Sequence, residues 1–221
     1  MPADAAPADA PDLPDLPGIP VAAQELGTFL LRYKFGLDEV LTKINILREE
    51  LAFRGSSNPI EHVSSRLKSV DSIREKATRL GCSLDLASIG AQVLDIAGIR
   101  VVCSFIPDAY RVLDMLTVQP DITVRTIKDY IARPKPNGYR SLHAIIDIPV
   151  FLSDASHRVP VELQIRTVAM DFWASVEHKI HYKFDRDVPA ELLDELNAAA
   201  RVAHDLDARM AELHRQVHGT A

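Results

Sequence analysis

Apolar residues recur at spacings of three and four from Gln24 to Phe53, at Phe29, Leu30, Tyr33, Leu37, Val40, Leu41, Ile44, Leu47 and Leu51. That repeat is one face of a helix. The run Gly55-Ser56-Ser57-Asn58-Pro59 interrupts it. Pro59 suits the first helical position after an Asn58 cap, so a short helix is expected to lead into Arg66-Leu67-Lys68. A further helix is expected from Val70 to near Gly81, then a loop with a short helix from Leu84 to Val93.

The period then changes. Ile96 to Phe105 is a β-branched run, which reads as a buried strand. Pro107 to Leu116 returns to helix, and Ile122 to Ile131 alternates as a strand does. Pro134-Lys135-Pro136-Asn137-Gly138 is dense turn chemistry. Strands follow at Leu142–Phe151 and Val159–Thr167, then helices at Val168–Tyr182 and Ala190–Val217. The last helix carries an apolar stripe at Leu192, Leu196, Ala199, Ala203, Leu206, Met210, Leu213 and Val217. Only Pro107–Leu116 looks like a helical crossover between strands. The expected fold class is therefore α+β, a mixed, mostly antiparallel central sheet flanked by helices. The stripes of the first and last helices exceed what one small sheet can cover, so a homo-oligomer is expected.

Composition changes this picture at one end. Residues 1–20 hold six of the 14 prolines, five alanines and four aspartates, with no Lys or Arg. Such a stretch has little to bury against the entropy of ordering it. The expected division is a disordered acidic Pro/Ala-rich tail over 1–22 and a single domain over 23–219. The net charge is −6, and the four aspartates of the tail leave only −2 for the rest. Global charge thus argues against a general nucleic-acid coat and against a stable nucleic-acid partner. No apolar run approaches the roughly 20 residues that span a bilayer, and no basic residue precedes an apolar stretch at the N-terminus. Cys82 and Cys103 are too few for a disulfide framework or a zinc cluster. A reduced, cytoplasmic protein without a membrane partner is the expectation.

Anion binding must then come from local clusters. One comprises Arg66, Lys68, Arg74, Lys76 and Arg79; the other Arg125, Lys128, Arg133, Lys135 and Arg140. Solvated faces account for such clusters too, but Arg66, Lys68, Lys135 and Arg140 fall at loop positions, where ligand-binding residues concentrate. The strand around residues 161–166 puts Val161, Leu163 and Ile165 on one face and Glu162, Gln164 and Arg166 on the other. That polar row is either a wet strand face or the lining of a nucleotide site. Asp95 stands at the mouth of the buried strand, a position that suits a Mg²⁺ ligand as well as a loop cap. Arg100 inside the apolar run must find a partner and could stack on a base or bind phosphate. Tyr139, beside Gly138, offers a flat face. No GxxxxGK[ST] or GxGxxG occurs, so phosphate handling would use side chains and metal. His178 and His181 read as a helix face, and His204-Asp205 as surface.

Four segments in order resemble the RelA/SpoT synthetase domain, and most of all the stand-alone small alarmone synthetases. They are Arg66-Leu67-Lys68; Asp95-Ile96-Ala97-Gly98-Ile99-Arg100; Pro136 to His143; and Glu162-Leu163-Gln164-Ile165-Arg166-Thr167 with Ala169 to Ala174 and Glu177-His178. The resemblance runs from about residue 25 to 217. It implies a nucleotidyltransferase-like fold, a homotetramer, and Mg²⁺-dependent transfer of the β,γ-pyrophosphate of ATP to the 3′-hydroxyl of GDP or GTP. By the resemblance, Arg66 and Arg100 would sandwich adenine, and Lys68 and Lys76 would hold ATP phosphates. Asp95 would be the principal Mg²⁺ ligand, and Glu162 a second ligand or the base for the 3′-hydroxyl. Tyr139 would stack on guanine. Lys135, Arg140 and His143 would contact phosphates, and Gln164 and Arg166 would shape the acceptor site. The guanine-reading position, often Asn in the family, is Asp171 here; its carboxylate can still accept from guanine N1–H and N2–H. No hydrolase domain is expected. Two alternatives stay open: the same transfer onto GMP, an adenine nucleotide or a tRNA 3′ end, and a degenerate nucleotide- or RNA-binding regulator.

Overall fold

The structure is a computed structural model, and it describes residues 21–54, 58–184 and 188–218. The tail expected over 1–22 falls, up to residue 20, outside the described residues. Eleven elements follow in order: α1 (Val21–Phe53), β1 (Ile60–Leu67), α2 (Val70–Leu80), α3 (Leu86–Gln92), β2 (Ala97–Cys103), α4 (Ile106–Thr117), β3 (Thr123–Asp129), β4 (Leu142–Phe151), β5 (Ser156–Thr167), α5 (Val168–Lys183) and α6 (Ala190–His218).

The five strands form one sheet in the order β1-β2-β5-β4-β3. Three neighbouring pairs are antiparallel and β2–β5 is parallel. The sheet is therefore mixed and mostly antiparallel, as expected. α4 does not link neighbours: it carries the chain from β2 across to β3 at the far edge.

One expectation fails. The short helix placed ahead of Arg66 is the edge strand β1. Asn58 does not cap a helix; its side-chain Oδ1 accepts from the Ile60 N–H at 3.0 Å, a local turn that launches an extended chain. β1 is exposed over most of its length, so its own pattern says little, and pairing with β2 decides its conformation.

One side of the sheet is the core. Val161, Leu163 and Ile165 of β5 pack in a single buried cluster with Tyr33, Leu37, Val40 and Ile44 of α1, and Val112 and Leu116 of α4. The other side is polar. α5 leaves the end of β5 directly: the Thr167 hydroxyl caps it by accepting from the Met170 N–H at 3.2 Å. α6 returns along α5. Trp173, Ala174, Leu196 and Ala200 make a second small cluster there, and the Trp173 indole N–H donates to the Leu196 carbonyl at 2.8 Å.

Candidate active site

Strand register assembles the polar face. Cross-strand partners share a face, and the pairing sets Ser64, Arg100, Gln164, His143 and Lys128 in one row across all five strands. The row beside it begins Arg66, Gly98, Glu162. Residues distant in sequence are thus neighbours through ladder geometry alone.

At the β1–β2 edge, Ser64, Ser65, Arg66, Gly98, Arg100 and Gln164 line a slot of about 110 Å³. Gly98 keeps its floor open. A methyl group there would stand 3.7 Å from Arg66 Cγ and 3.8 Å from its Nε. Burial first, then the neighbouring Arg166 charge, pull the Arg100 guanidinium below its ordinary pKa, partly offset by Asp171. It is a cation short of compensation.

Asp95 lies in the turn before β2, and its Oδ2 receives Lys68 Nζ at 2.6 Å and Lys76 Nζ at 2.7 Å. Burial acts to raise the carboxyl pKa, but the two lysines outweigh it and hold it below its ordinary value. Across the parallel pair, Glu162 is treated likewise. Burial raises it, hydrogen bonds from His143 and Gln164 lower it further, and the Asp95 charge pushes back up. Its Oε1 lies 3.2 Å from His143 Nδ1, and its Oε2 accepts from Gln164 Nε2 at 2.9 Å. The two carboxylates feel one another on one side of the sheet.

The other end of this face is built on the turn before β4. Gly138 has φ +83°, a left-handed conformation that favours glycine. Asn137 Oδ1 accepts from the Tyr139 N–H at 3.2 Å, and Asn137 Nδ2 donates to Glu177 Oε1 at 3.0 Å. Tyr139 is thereby presented to the sheet. Its hydroxyl receives Arg166 Nη2 at 2.6 Å and lies 2.7 Å from His143 Nε2. Since charged Glu162 can only accept, His143 donates from Nδ1, and in the neutral ring Nε2 then accepts from the Tyr139 hydroxyl. Lys135 Nζ stands 4.6 Å from the Tyr139 ring centre and 4.8 Å from that of Tyr130. Arg166, only 5 % exposed, donates to Asp171 at 3.1 Å and to Gln164 Oε1 at 3.1 Å. Asp171 also pairs with Arg100 at 3.3 Å, so the carboxylate expected to meet guanine bridges two arginines.

Of the residues singled out by sequence, Arg66, Lys68, Lys76, Asp95, Arg100, Lys135, Tyr139, His143, Glu162, Gln164, Arg166 and Asp171 belong to this connected face. Arg140 turns aside. Its Nη1 donates to the Ile131 carbonyl at 2.8 Å, and it lines a separate cleft of about 760 Å³ against α6 with Lys135, Arg201 and His204. His204 is thus a cleft residue rather than plain surface. His181 pairs with Glu177 at 3.3 Å, in keeping with a helix-face role. Sequence reasoning missed Tyr130, which packs edge-on against Tyr139 and His143. It also missed Asp207 of α6, whose carboxylate accepts from Thr167 at 2.8 Å beneath the site. A charged residue on a long helix carries no signal of that contact.

Among the described residues, no group of three or more His, Cys, Asp or Glu side chains gathers to hold a metal alone. The donor set nonetheless fits a Mg²⁺ that takes few protein ligands and fills its shell with phosphate oxygens. Asp95 Oδ1 is buried and has no hydrogen-bond partner, and the Asp95–Glu162 repulsion is what a cation between them would relieve.

Sheet and polar face together define an α+β protein whose five-stranded, mostly antiparallel sheet carries a row of charged and polar side chains on one side. The chain belongs to the RelA/SpoT family: residues 65–187 match the region found in RelA / SpoT proteins. It is 50% identical over 188 residues to the GTP pyrophosphokinase YwaC of Bacillus subtilis, covering 85% of this chain and 90% of that one. The crystal structure of the small alarmone synthetase 2 from Bacillus subtilis superposes with a TM-score of 0.80 at 48% identity, over 87% of this chain and 99% of that one. The small alarmone synthetase 1 from Bacillus subtilis bound to its product pppGpp gives 0.82 at 36% identity, over 88% and 98%.

Proposed function

We propose that this chain is a GTP pyrophosphokinase, moving the β,γ-pyrophosphate of ATP onto the 3′-hydroxyl of GDP or GTP to give ppGpp or pppGpp and AMP. The observation that carries this reading is the placement of Asp95 and Glu162 on one sheet face, between an arginine-walled slot and a presented tyrosine. A new bond forms between the 3′-oxygen and the β-phosphorus. The bond from that phosphorus to the α,β-bridging oxygen breaks, and AMP leaves with the oxygen.

Such a transfer needs alignment and charge cancellation more than covalent help. Arg66 and Arg100 grip adenine over Gly98. Lys68 and Lys76, now on Asp95, turn to the triphosphate. Tyr139 stacks on guanine, Asp171 and Arg166 read its edge, and Lys135 and His143 meet phosphates. Gln164 keeps Glu162 oriented, and Glu162, held charged, accepts the 3′-hydroxyl proton. Asp95 and Glu162 would hold Mg²⁺, which when bound supplies neutralisation of the phosphoryl oxygens. The small alarmone synthetase 1 from Bacillus subtilis, a solved relative, is bound to its product pppGpp in one crystal structure and to AMPCPP in another. No helix among the described residues is long and apolar enough to cross a membrane. Our reading places the protein in the cytoplasm as a homotetramer, with the exposed stripe of α6 between protomers.

The test is an acceptor panel. Labelled ATP is incubated with GTP, GDP, GMP, ATP or tRNA in turn, and products are separated by chromatography. Label on GDP and GTP with stoichiometric AMP is the expected result. Label only on tRNA or an adenine nucleotide would overturn the assignment, as would no transfer at all with every acceptor.

A further inference from the structure

A second cleft lies away from the polar face, where the first half of α1 meets α3 and the start of β5. Its volume is about 510 Å³, and no residue placed at the candidate active site lines it. Three arginines face it, Arg32, Arg125 and Arg158, with His157 beside them and, among the described residues, Glu25 as the one acidic wall residue. Their compensation is uneven. Arg125 is paired with Asp147 at 2.7 Å, and among the described residues Arg158 has only the neutral Thr123 hydroxyl, at 2.6 Å. Arg32 has a buried Nε without a hydrogen-bond partner. Arg158 is exposed, but Arg32 is half-buried, and without a counter-charge among the described residues its guanidinium is unfavourable unless an anion arrives. Arginine forks suit phosphate in particular.

The floor is aromatic. Phe29 and Tyr33 meet there with ring centres 5.0 Å apart. Burial, modulated by Arg125 and Asp147, pushes the Tyr33 hydroxyl up to about 12, so it stays a neutral donor at any working pH. Past Phe29 the cleft runs into an apolar trough of about 590 Å³ lined by Leu26, Ile73, Leu84, Leu86 and Ile89. The two share Glu25, Phe29, Leu86 and Ala87 as a common wall. A cationic end joined to an apolar end selects a ligand with the same polarity.

We propose that this cleft is a second binding site, for an organic phosphate whose phosphate meets Arg32 and Arg158 and whose flat apolar part lies along Phe29 into the trough. It stands apart from the proposed pyrophosphate transfer and does not depend on it. Such a ligand would tie α1 to the start of β5, the strand that carries Glu162 three residues beyond Val159.

The test uses the full chain and two probes, 1-naphthyl phosphate and inorganic pyrophosphate, followed by amide NMR. Naphthyl phosphate is expected to shift Thr28, Gly90 and Val159. Arg32→Gln with Arg158→Gln should weaken that binding roughly tenfold or more, as loss of charge-assisted hydrogen bonds does. Arg66→Gln with Lys76→Gln should leave it unchanged. Shifts confined to the neighbourhood of Lys68, Lys76 and Tyr139 would overturn the proposal, and the wild-type map decides this even where a variant fails to fold. Pyrophosphate binding the cleft as tightly as naphthyl phosphate would overturn the organic part and leave a bare anion site.

Discussion

Opposing forces meet on the Asp95 carboxylate. Burial disfavours its charge, and Lys68 and Lys76 more than restore it. Asp95→Asn keeps the shape, removes the charge and leaves two lysines facing each other. Turnover is expected to fall by about a hundredfold or more, a loss typical of removing a preorganised electrostatic group. Circular dichroism should remain that of the folded protein; wild-type turnover would remove Asp95 from the machinery. The same two carboxylates set an acid limit. Asp95 and Glu162 both have native pKa values held below their ordinary ones. A group lowered in the folded state contributes stability above its unfolded value and loses it as pH falls through the folded value. Denaturant midpoints should therefore hold from neutrality to about pH 5 and decline below about pH 4, where unfolded carboxyls titrate. Glu162→Gln should flatten that decline, and an unchanged acid limb would refute its share. The polar row on β5 was legible because strand alternation alone separates Glu162, Gln164 and Arg166 from Val161, Leu163 and Ile165. That Asp171 bridges Arg100 and Arg166 was not, since ion-pair choice depends on the fold.

Elements meet in two places beside the candidate site. The turn bearing Tyr139 touches α6 at Gly138, where an added Cβ would lie 2.5 Å from Ala200 Cβ. Gly138→Ala therefore meets both a left-handed backbone and a backbone-borne clash. A loss of about 2–4 kcal/mol by denaturant titration is expected, with KM for the acceptor nucleotide raised more than KM for ATP. Equal effects on both would show that the turn serves stability alone. Asp207 pins α6 to the β5–α5 junction through Thr167. Burial raises its carboxyl pKa, so its favourable contribution exists at acid pH and is lost as pH rises through the raised value. Asp207→Asn keeps an acceptor for Thr167 without the buried charge and should raise the midpoint at neutral pH. Asp207→Ala leaves the Thr167 hydroxyl unpaired and should lower stability by about 1–3 kcal/mol. A fall in both variants would mean that the charge itself is needed. Elements were legible where periodicity and burial agree, as in β2, α4, β4 and β5. β1 was misread because an edge strand shows little burial alternation, and because Asn58-Pro59 suits both a cap and a turn.

At the scale of the whole molecule, α6 carries two apolar stripes, and the sheet accounts for neither alone. Leu196, Ala200 and Ala203 turn inward onto Trp173. Val202, Leu206, Met210 and Leu213 lie on another face and remain 68%, 48%, 41% and 51% exposed. Periodicity reads a single stripe on the last helix where the fold resolves two, because only packing reveals which positions face α5. An outer stripe of this length suits the same stripe of a second protomer across a two-fold axis, and burial of large side chains at about 25 cal/mol per Å² supplies the drive. The expected outcome is an oligomer whose mass by light scattering does not change with concentration over the working range. Val202→Glu with Leu206→Glu places like charges face to face across that axis, so the mass should drop by half or more while circular dichroism is retained. If Asp95, Glu162 and Tyr139 form a complete site within one chain, as their contacts indicate, the dissociated variant should still transfer pyrophosphate. A wild type that is monomeric throughout, or a variant of unchanged mass, would assign the outer stripe some other role.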